Sequence, residues 1–274
     1  MGQGTIEVCR LCGGAAGPFR VRRALLEPFG IESLQEAVRW PFHRDGLLTA
    51  FACAVVLWIL GKGGPLGAYF GFSIVLAVCF HVTRLTARGE DTLRDAGDFR
   101  GFFEDVIGPI FRASLAAVWA YGPLVAFLVL RHALPQDLSR GETAVAVLLL
   151  AGGIFLFPMA LLAGALSSPL LHALNPVVVI GYATRLGRDY ALLAGFALAI
   201  SLFDSLVLAI VTGLDQIVVI PDVAEYTLLL LPALMLFRAM GLLVRARGDE
   251  LGYGGDSSYL VPVLGRLRPM TELR

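Results

Sequence analysis

Few residues in this chain combine a type and a spacing that could do chemistry. Cys9-Arg-Leu-Cys12-Gly13-Gly14 has the shape of half a zinc knuckle. Its two thiols stand three residues apart, and the glycines after the second let the turn close. A structural zinc takes four ligands, and no second CxxC follows. His43 is the nearby histidine. Two readings stand: a knuckle that no longer holds metal, or a zinc site completed by His43 or by a second copy of the chain. Cys53 and Cys79 lie in apolar runs, where an unpaired cysteine behaves as a small hydrophobe.

Asp204 and Arg238 are ionisable residues inside long apolar runs. A charge there costs about 2.5–3.5 kcal/mol at mid-membrane and usually faces the protein interior. At helical rise Asp204 lies roughly 21 Å from the Tyr190 end of its run, and Arg238 roughly 9 Å from the Val244 end of its own. The levels differ by some 12 Å, more than a direct pair easily bridges. The two positions are candidates for an intramembrane site. In the alternative, Arg238 snorkels to the headgroups, and Asp204, flanked by Ser201 and Ser205, is protonated or satisfied by local hydrogen bonds. Asn175-Pro176 is a third candidate. Asparagine caps helices and proline suits a first turn, so the pair starts a helix over Val177 to Leu186 or else holds a ligand.

His43, His81, His132 and His172 are scattered near the ends of apolar runs and read as interfacial residues. Gly61-Lys62-Gly63 lacks the spacing of a phosphate-binding loop, and HExxH, GxSxG and SxxK are all missing from the sequence. The expectation is a protein that is not an enzyme and binds no nucleic acid.

The elements that must position these residues come from hydropathy. Hydrophobic residues make up 57% of the 274 and charged residues 16%, against about 45–50% and about 25% in soluble domains. Several apolar segments reach the ~20 residues that cross a ~30 Å hydrocarbon layer. The fold class is all-α: a polytopic transmembrane helix bundle of about six spans, with interfacial amphipathic helices. The spans are expected at Leu47–Leu60, Pro65–Val82, Ala113–Leu130, Thr143–Leu166, Tyr190–Val211 and Ala224–Val244. The first is short enough to be re-entrant instead. Gly67-x-x-x-Gly71 in the second lets helix backbones approach closely. Gly108-Pro109 is expected to break the chain before the third span. Kinks are expected at Tyr121-Gly122-Pro123 and at Pro158.

Outside the spans, Ile31 to Phe42 reads as a short helix with Ile31, Leu34, Ala37 and Val38 on one face, lying in the headgroup plane. Trp40 and Phe42 are its interfacial anchors. Arg20-Val-Arg22-Arg23 suits anionic headgroups. A second interfacial helix is expected over Phe99 to Ile107. The domain reading is 1–46 as an N-terminal segment with the half-knuckle and an interfacial helix, 47–244 as the six-span bundle, and 245–274 as a tail. The first 46 residues hold no apolar core of signal-peptide length, so the first span is expected to serve as an uncleaved signal.

Charge sets an orientation. The 22 Lys and Arg divide nineteen to three between the two sides of a six-span topology. The three are Lys62, Arg131 and Arg140. By the positive-inside rule both termini are cytoplasmic, in a cell's inner (cytoplasmic) membrane.

Pro169-Leu-Leu-His172-Ala173-Leu174-Asn175-Pro176, followed by Gly187-Arg-Asp189-Tyr190 and a span, resembles a family of uncharacterised bacterial membrane proteins of the DUF4013 type. The lead-in Ala37-Val-Arg-Trp40-Pro41-Phe42 and the closing Arg238-Ala-Met-Gly241 with Gly248-Asp249-Glu250-Leu251-Gly252 are similar to that family as well. The resemblance covers most of residues 35–252. It implies a multi-span bundle with no established activity and no catalytic residues to carry over. The half-knuckle ahead of the bundle departs from that pattern. Two function classes follow: a membrane scaffold or accessory subunit with a protein partner or a second copy, and a small transporter with an intramembrane site near Asp204. Paired interrupted helices in two halves would favour the transporter, and no convincing repeat is found.

Overall fold

The computed structural model describes residues 7–8, 15–16, 28–89, 107–132, 139–166, 176–215, 222–248 and 250–251. The chain divides into two compact units, one of residues 1–27 with 254–274 and one of residues 28–253. In the first, β1 (Glu7–Val8) pairs antiparallel with β2 (Ala15–Ala16), Glu7 opposite Ala16 and Val8 opposite Ala15. These two short strands bracket the run from Cys9 to Gly14 in sequence.

The described part of the second unit is all-α. Its helices are α1 (Ile31–Arg39), α2 (Arg44–Gly61), α3 (Gly64–Arg88), α4 (Gly108–His132), α5 (Arg140–Leu166), α6 (Pro176–Leu186), α7 (Arg188–Asp215) and α8 (Asp222–Arg247). Six of them, α2 to α5 with α7 and α8, are long and apolar enough to span a membrane. The protein is a multi-pass transmembrane bundle. In lipid every backbone N–H and C=O must be satisfied within the segment, which is why apolar runs of this length become helices.

The helices outrun the expected spans at polar ends. α2 begins at Arg44, and its 18 residues rise about 27 Å, close to a ~30 Å core. Hydropathy alone trims such ends, because a charged first or last turn costs nothing where it reaches the headgroups. Gly108-Pro109 does not break the chain: both residues lie in the first turn of α4. Proline belongs there because a first-turn N–H has no helical partner to lose. Pro123, Pro158 and Pro232 lie inside continuous helices. Residues 99–106 of the expected second interfacial helix lie outside the described residues.

The core forms around α8, which packs against α1, α2, α3 and α7. The α4–α5 hairpin packs tightly on itself and meets the rest chiefly through α3, α6 and α7. Burial is graded along the bundle. In α5 every residue from Pro158 to Ala165 is buried, whereas of residues 140–157 only Gly153 is. In α7 the last buried residue of the described side chains is Ile200, in α4 it is Ala120, and in α2 it is Ala54. The helices therefore converge toward the end that holds Arg44, Arg88, Leu166, Arg188 and Arg247. At the opposite end they turn apolar side chains such as Leu130, Leu148 and Leu206 outward.

Small residues allow the closest crossings. Gly67 and Gly71 both face α2, where a Cβ would meet the Leu60 carbonyl and the Leu57 side chain. At the α3–α8 seam Gly241 lies against Thr86 and Thr83, and Thr83 Oγ1 donates across the seam to the Phe237 carbonyl at 3.0 Å. A Cβ on Gly241 would collide with Thr86 Cβ and stand 2.7 Å from the Thr83 carbonyl oxygen. Gly241→Val should therefore force α3 and α8 apart, at the ~1–3 kcal/mol cost of overpacking. Thermal unfolding in mild detergent checks this. A clear fall in Tm is expected for Gly241→Val, and none for Gly181→Ala, where a Cβ meets nothing within 4 Å.

Candidate functional site

Two sets of contacts mark the two faces of the bundle. At one end the Trp58 indole N–H donates to Asp222 Oδ2 at 3.0 Å, and the Lys62 ammonium lies 4.0 Å over the Trp58 ring. At the same end of the bundle, Arg131 pairs with Glu142 at 3.0 Å between the end of α4 and the start of α5. Glu142 also closes a capping box: its Oε2 accepts the Ser139 N–H, and Ser139 Oγ accepts the Glu142 N–H. At the other end Arg247 Nε donates to Asp189 Oδ2 at 2.7 Å, tying the end of α8 to the start of α7. Arg112 Nη1 donates to the Gly164 carbonyl, tying α4 to α5. Among the described residues only Lys62, Arg131 and Arg140 of the Lys and Arg lie at the first end, and the other ten at the second.

α2 serves as a ruler for depth. Its far end is fixed to the start of α8 by the Trp58–Asp222 bond, and its near end follows directly from α1 through the turn Trp40–Phe42. Arg238 comes sixteen residues after Asp222, about 24 Å along α8. It therefore lies at about the level at which α2 begins, since Arg44 comes fourteen residues, about 21 Å, before Trp58.

Arg238 does not snorkel to the headgroups. It is buried at 3% exposure and held from three sides. Nη2 donates to Glu36 Oε1 of α1 at 2.8 Å, and Nη1 donates to Thr86 Oγ1 of α3 at 3.1 Å. The guanidinium lies 5.4 Å from the centroid of the Trp40 ring, a cation–π contact. The planar guanidinium, with its donors fixed in a fork, meets an acid, a hydroxyl and an aromatic face together. The rest of the Thr86 hydroxyl's capacity goes to the Val82 carbonyl at 2.7 Å.

This arrangement explains the placement of α1. Glu32 in its first turn and Arg39 in its last suit the helix dipole, and Ser33 Oγ accepts the Gly30 N–H. Ala37 is fully buried and Leu34 packs on the core, while Ile31 and Val38 of the expected apolar face stay exposed. The helix is thus fastened to α8 by its Glu36 side as well as by its apolar side. Hydropathy singled out Arg238 but gave no sign of Glu36, which lies 202 residues away in sequence. The available signal was an acid-bearing amphipathic helix directly before the first span.

Asp204 is elsewhere. It is fifteen residues after Asp189, and Pro232 is fifteen before Arg247. Since Asp189 and Arg247 are paired and the helices antiparallel, Asp204 and Pro232 share a level, about 15 Å from the start of α8 and near mid-membrane. It continues the buried stripe Leu193, Ala197 and Ile200 at helical spacing and is itself half-buried. Ser201 and Ser205 do not satisfy it: their hydroxyls donate to the Ala197 and Ser201 carbonyls. Asp204 Oδ1 is buried with no hydrogen-bond partner among the described residues. Asp204 and Arg238 are not brought together. Asn175, Cys9 and Cys12 lie outside the described residues. Among the described residues no cluster of three His, Cys, Asp or Glu could hold a metal ion.

The Arg238 cluster carries an asymmetry that mutagenesis can read. Glu36→Ala leaves a buried guanidinium without its acid, whereas Arg238→Met removes the charge and leaves Glu36 half in solvent. α1 is expected to exchange its amides faster in both variants, with the larger loss of Tm in Glu36→Ala. The swap Glu36→Arg with Arg238→Glu should not restore the parent, because the Trp40 face favours a cation and repels a carboxylate. Hydrogen exchange of residues 31–39 together with thermal unfolding gives the answer.

No protein-family model, curated protein or solved structure matches this chain.

Proposed function

We propose that this protein is a membrane scaffold or accessory subunit of a cell's inner membrane. It holds an amphipathic helix and a basic, helix-lined face at the cytoplasmic surface for a protein partner or a second copy. The observation that carries the reading is the use of buried charge. Asp189 and Arg238 are the buried charged side chains among the described residues. Arg238 fastens α1 to α8, and Asp189 fastens α7 to the end of α8. Both hold near-face elements in place, and the described helices pack most densely at that same end. These contacts hold the elements that form that surface in fixed positions. The cytoplasmic assignment of this face and of both termini rests on the positive-inside count.

A second reading has one observation behind it. The half-buried mid-membrane carboxyl of Asp204, with an oxygen unpartnered among the described residues, is what a transporter site would need.

Two experiments follow. Reporter fusions after Ser139 and Asp215 should signal the non-cytoplasmic side, and fusions after Arg88 and at the C-terminus the cytoplasmic side; a cytoplasmic signal at Ser139 refutes the orientation. Purification in mild detergent should retain a protein in fixed stoichiometry, or a dimer, equally in the parent and in Asp204→Asn. A small solute retained by the parent and lost from Asp204→Asn would replace the scaffold reading with the transporter.

A further inference from the structure

Each internal proline of the spans stands where dense packing ends. Pro158 opens the continuous buried run of α5. Pro123 lies three residues beyond Ala120, the last buried residue of the described side chains of α4. Pro232 lies two residues after Leu230, the first buried residue of α8. α5 is interrupted at two successive rungs of its backbone ladder. Pro158 has no N–H to give the Ile154 carbonyl. At the next rung the Phe155 carbonyl accepts from the Tyr190 hydroxyl of α7, and the Met159 N–H faces that same hydroxyl. A proline, or a side chain set into the ladder, is where a helix bends, and here the two coincide.

The two sides of this point are held differently. On one side Pro158 to Ala165 are all buried. On the other, Gly153 is the one buried residue of 140–157, and it rests on Ala120 and Tyr121 of α4. The Tyr121 ring lies 5.5 Å from that of Phe157, and Arg131 pairs with Glu142 at the tip. The far parts of α4 and α5 are thus fastened to each other, with their remaining side chains exposed or half-buried. A segment with few buried contacts is the part of a structure that moves at least cost. Tyr190 belongs to the fixed side: it is 1% exposed, and its neighbour Asp189 is tied to Arg247. Its ring meets that of Phe155 edge-on at 5.0 Å.

We infer that the far half of the α4–α5 hairpin is an arm hinged at Pro158, and that the Tyr190 hydroxyl latches it. The latch joins a residue of the fixed side to a carbonyl of the arm. Its release costs little, because the Phe155 carbonyl then takes back the Met159 N–H and the hydroxyl alone loses a partner. Two positions of the arm therefore lie close in energy, and a single contact decides between them. The hinge follows from the packing of α5 and holds for a scaffold and a transporter alike.

Double electron–electron resonance on the full chain in mild detergent tests this. Spin labels are placed at Leu148→Cys in the arm and Leu206→Cys in α7, both exposed positions of the far half. Cys9 and Cys12 are replaced by serine, while Cys53 and Cys79 are buried away from the label. The parent should give one main distance. Tyr190→Phe keeps the ring and removes the hydroxyl, and it should raise the share of a second distance about fivefold, the equivalent of about 1 kcal/mol for one hydrogen bond. Adding Pro158→Ala, which restores the N–H, should bring that share back down. A Tyr190→Phe protein that keeps the parent's distances, even with a lowered Tm, makes the contact a matter of stability alone and overturns the hinge. So does a second distance that Pro158→Ala leaves unchanged. Should Tyr190→Phe prove unfolded, Pro158→Ala alone decides: a narrower distribution than the parent's supports the hinge, and an unchanged one overturns it.

Discussion

A guanidinium at the edge of a hydrocarbon layer must be paired or reach water, and in this protein it is paired. Arg238 leaves α8 where the bundle meets the near boundary and draws in Glu36 of α1, Thr86 of α3 and the Trp40 ring. Each partner comes from a different element, so one side chain fixes the positions of three. Moving a charge out of water carries a cost of several kcal/mol, and the arrangement persists only because the hydroxyl, carboxylate and ring all meet it together. Glu36 remains half exposed, so solvent screens its half of the pair and the net gain is small. The contact specifies where α1 goes more than how stable the bundle is.

The stability has to come from packing around α8. Helix association in lipid has no hydrophobic drive between apolar surfaces, so it relies on close backbone approach and on hydrogen bonds between helices. The α3–α8 seam supplies both, through Gly241 against Thr86 and through the Thr83 hydroxyl on the Phe237 carbonyl. Those contacts lie within one turn of Arg238, Phe237 directly before it and Gly241 three residues after. The same close approach that lets α3 and α8 pack therefore brings the Thr86 hydroxyl within reach of the guanidinium. Farther along the bundle there are fewer such contacts, and the helices present aliphatic side chains outward.

The six spans were legible in the sequence because their physical basis is one-dimensional: a run of apolar residues of membrane length announces itself without reference to anything else. The helix expected over Ile31 to Phe42, which closes at Arg39 and gives way to the turn Trp40–Phe42, and that of Val177 to Leu186 were legible for a similar reason, periodicity and caps being local. The helix ends were less so, since Arg44 and Arg247 are polar residues in fully helical turns. What could not be read was pairing between distant positions. Nothing in the neighbourhood of Glu36 points to Arg238, and the Asp189–Arg247 bond spans 58 residues. The ends of the helices do not share a level either: by the Trp58–Asp222 bond, α8 continues about eleven residues beyond the level at which α2 begins.

Asp204 shows the opposite case, a residue whose type and depth were both legible and whose partner the described helices do not supply. At its level α8 carries Pro232, which has no N–H to give the Leu228 carbonyl one turn earlier. A proline inside a span leaves a carbonyl for another group to satisfy, and an acid at the same level adds a second polar group to an apolar layer. Arg238 differs, because acid, hydroxyl and ring come from other elements and meet it together. The two ionisable residues that hydropathy groups together thus stand in different surroundings, one held among partners and one with an oxygen unpartnered among the described residues.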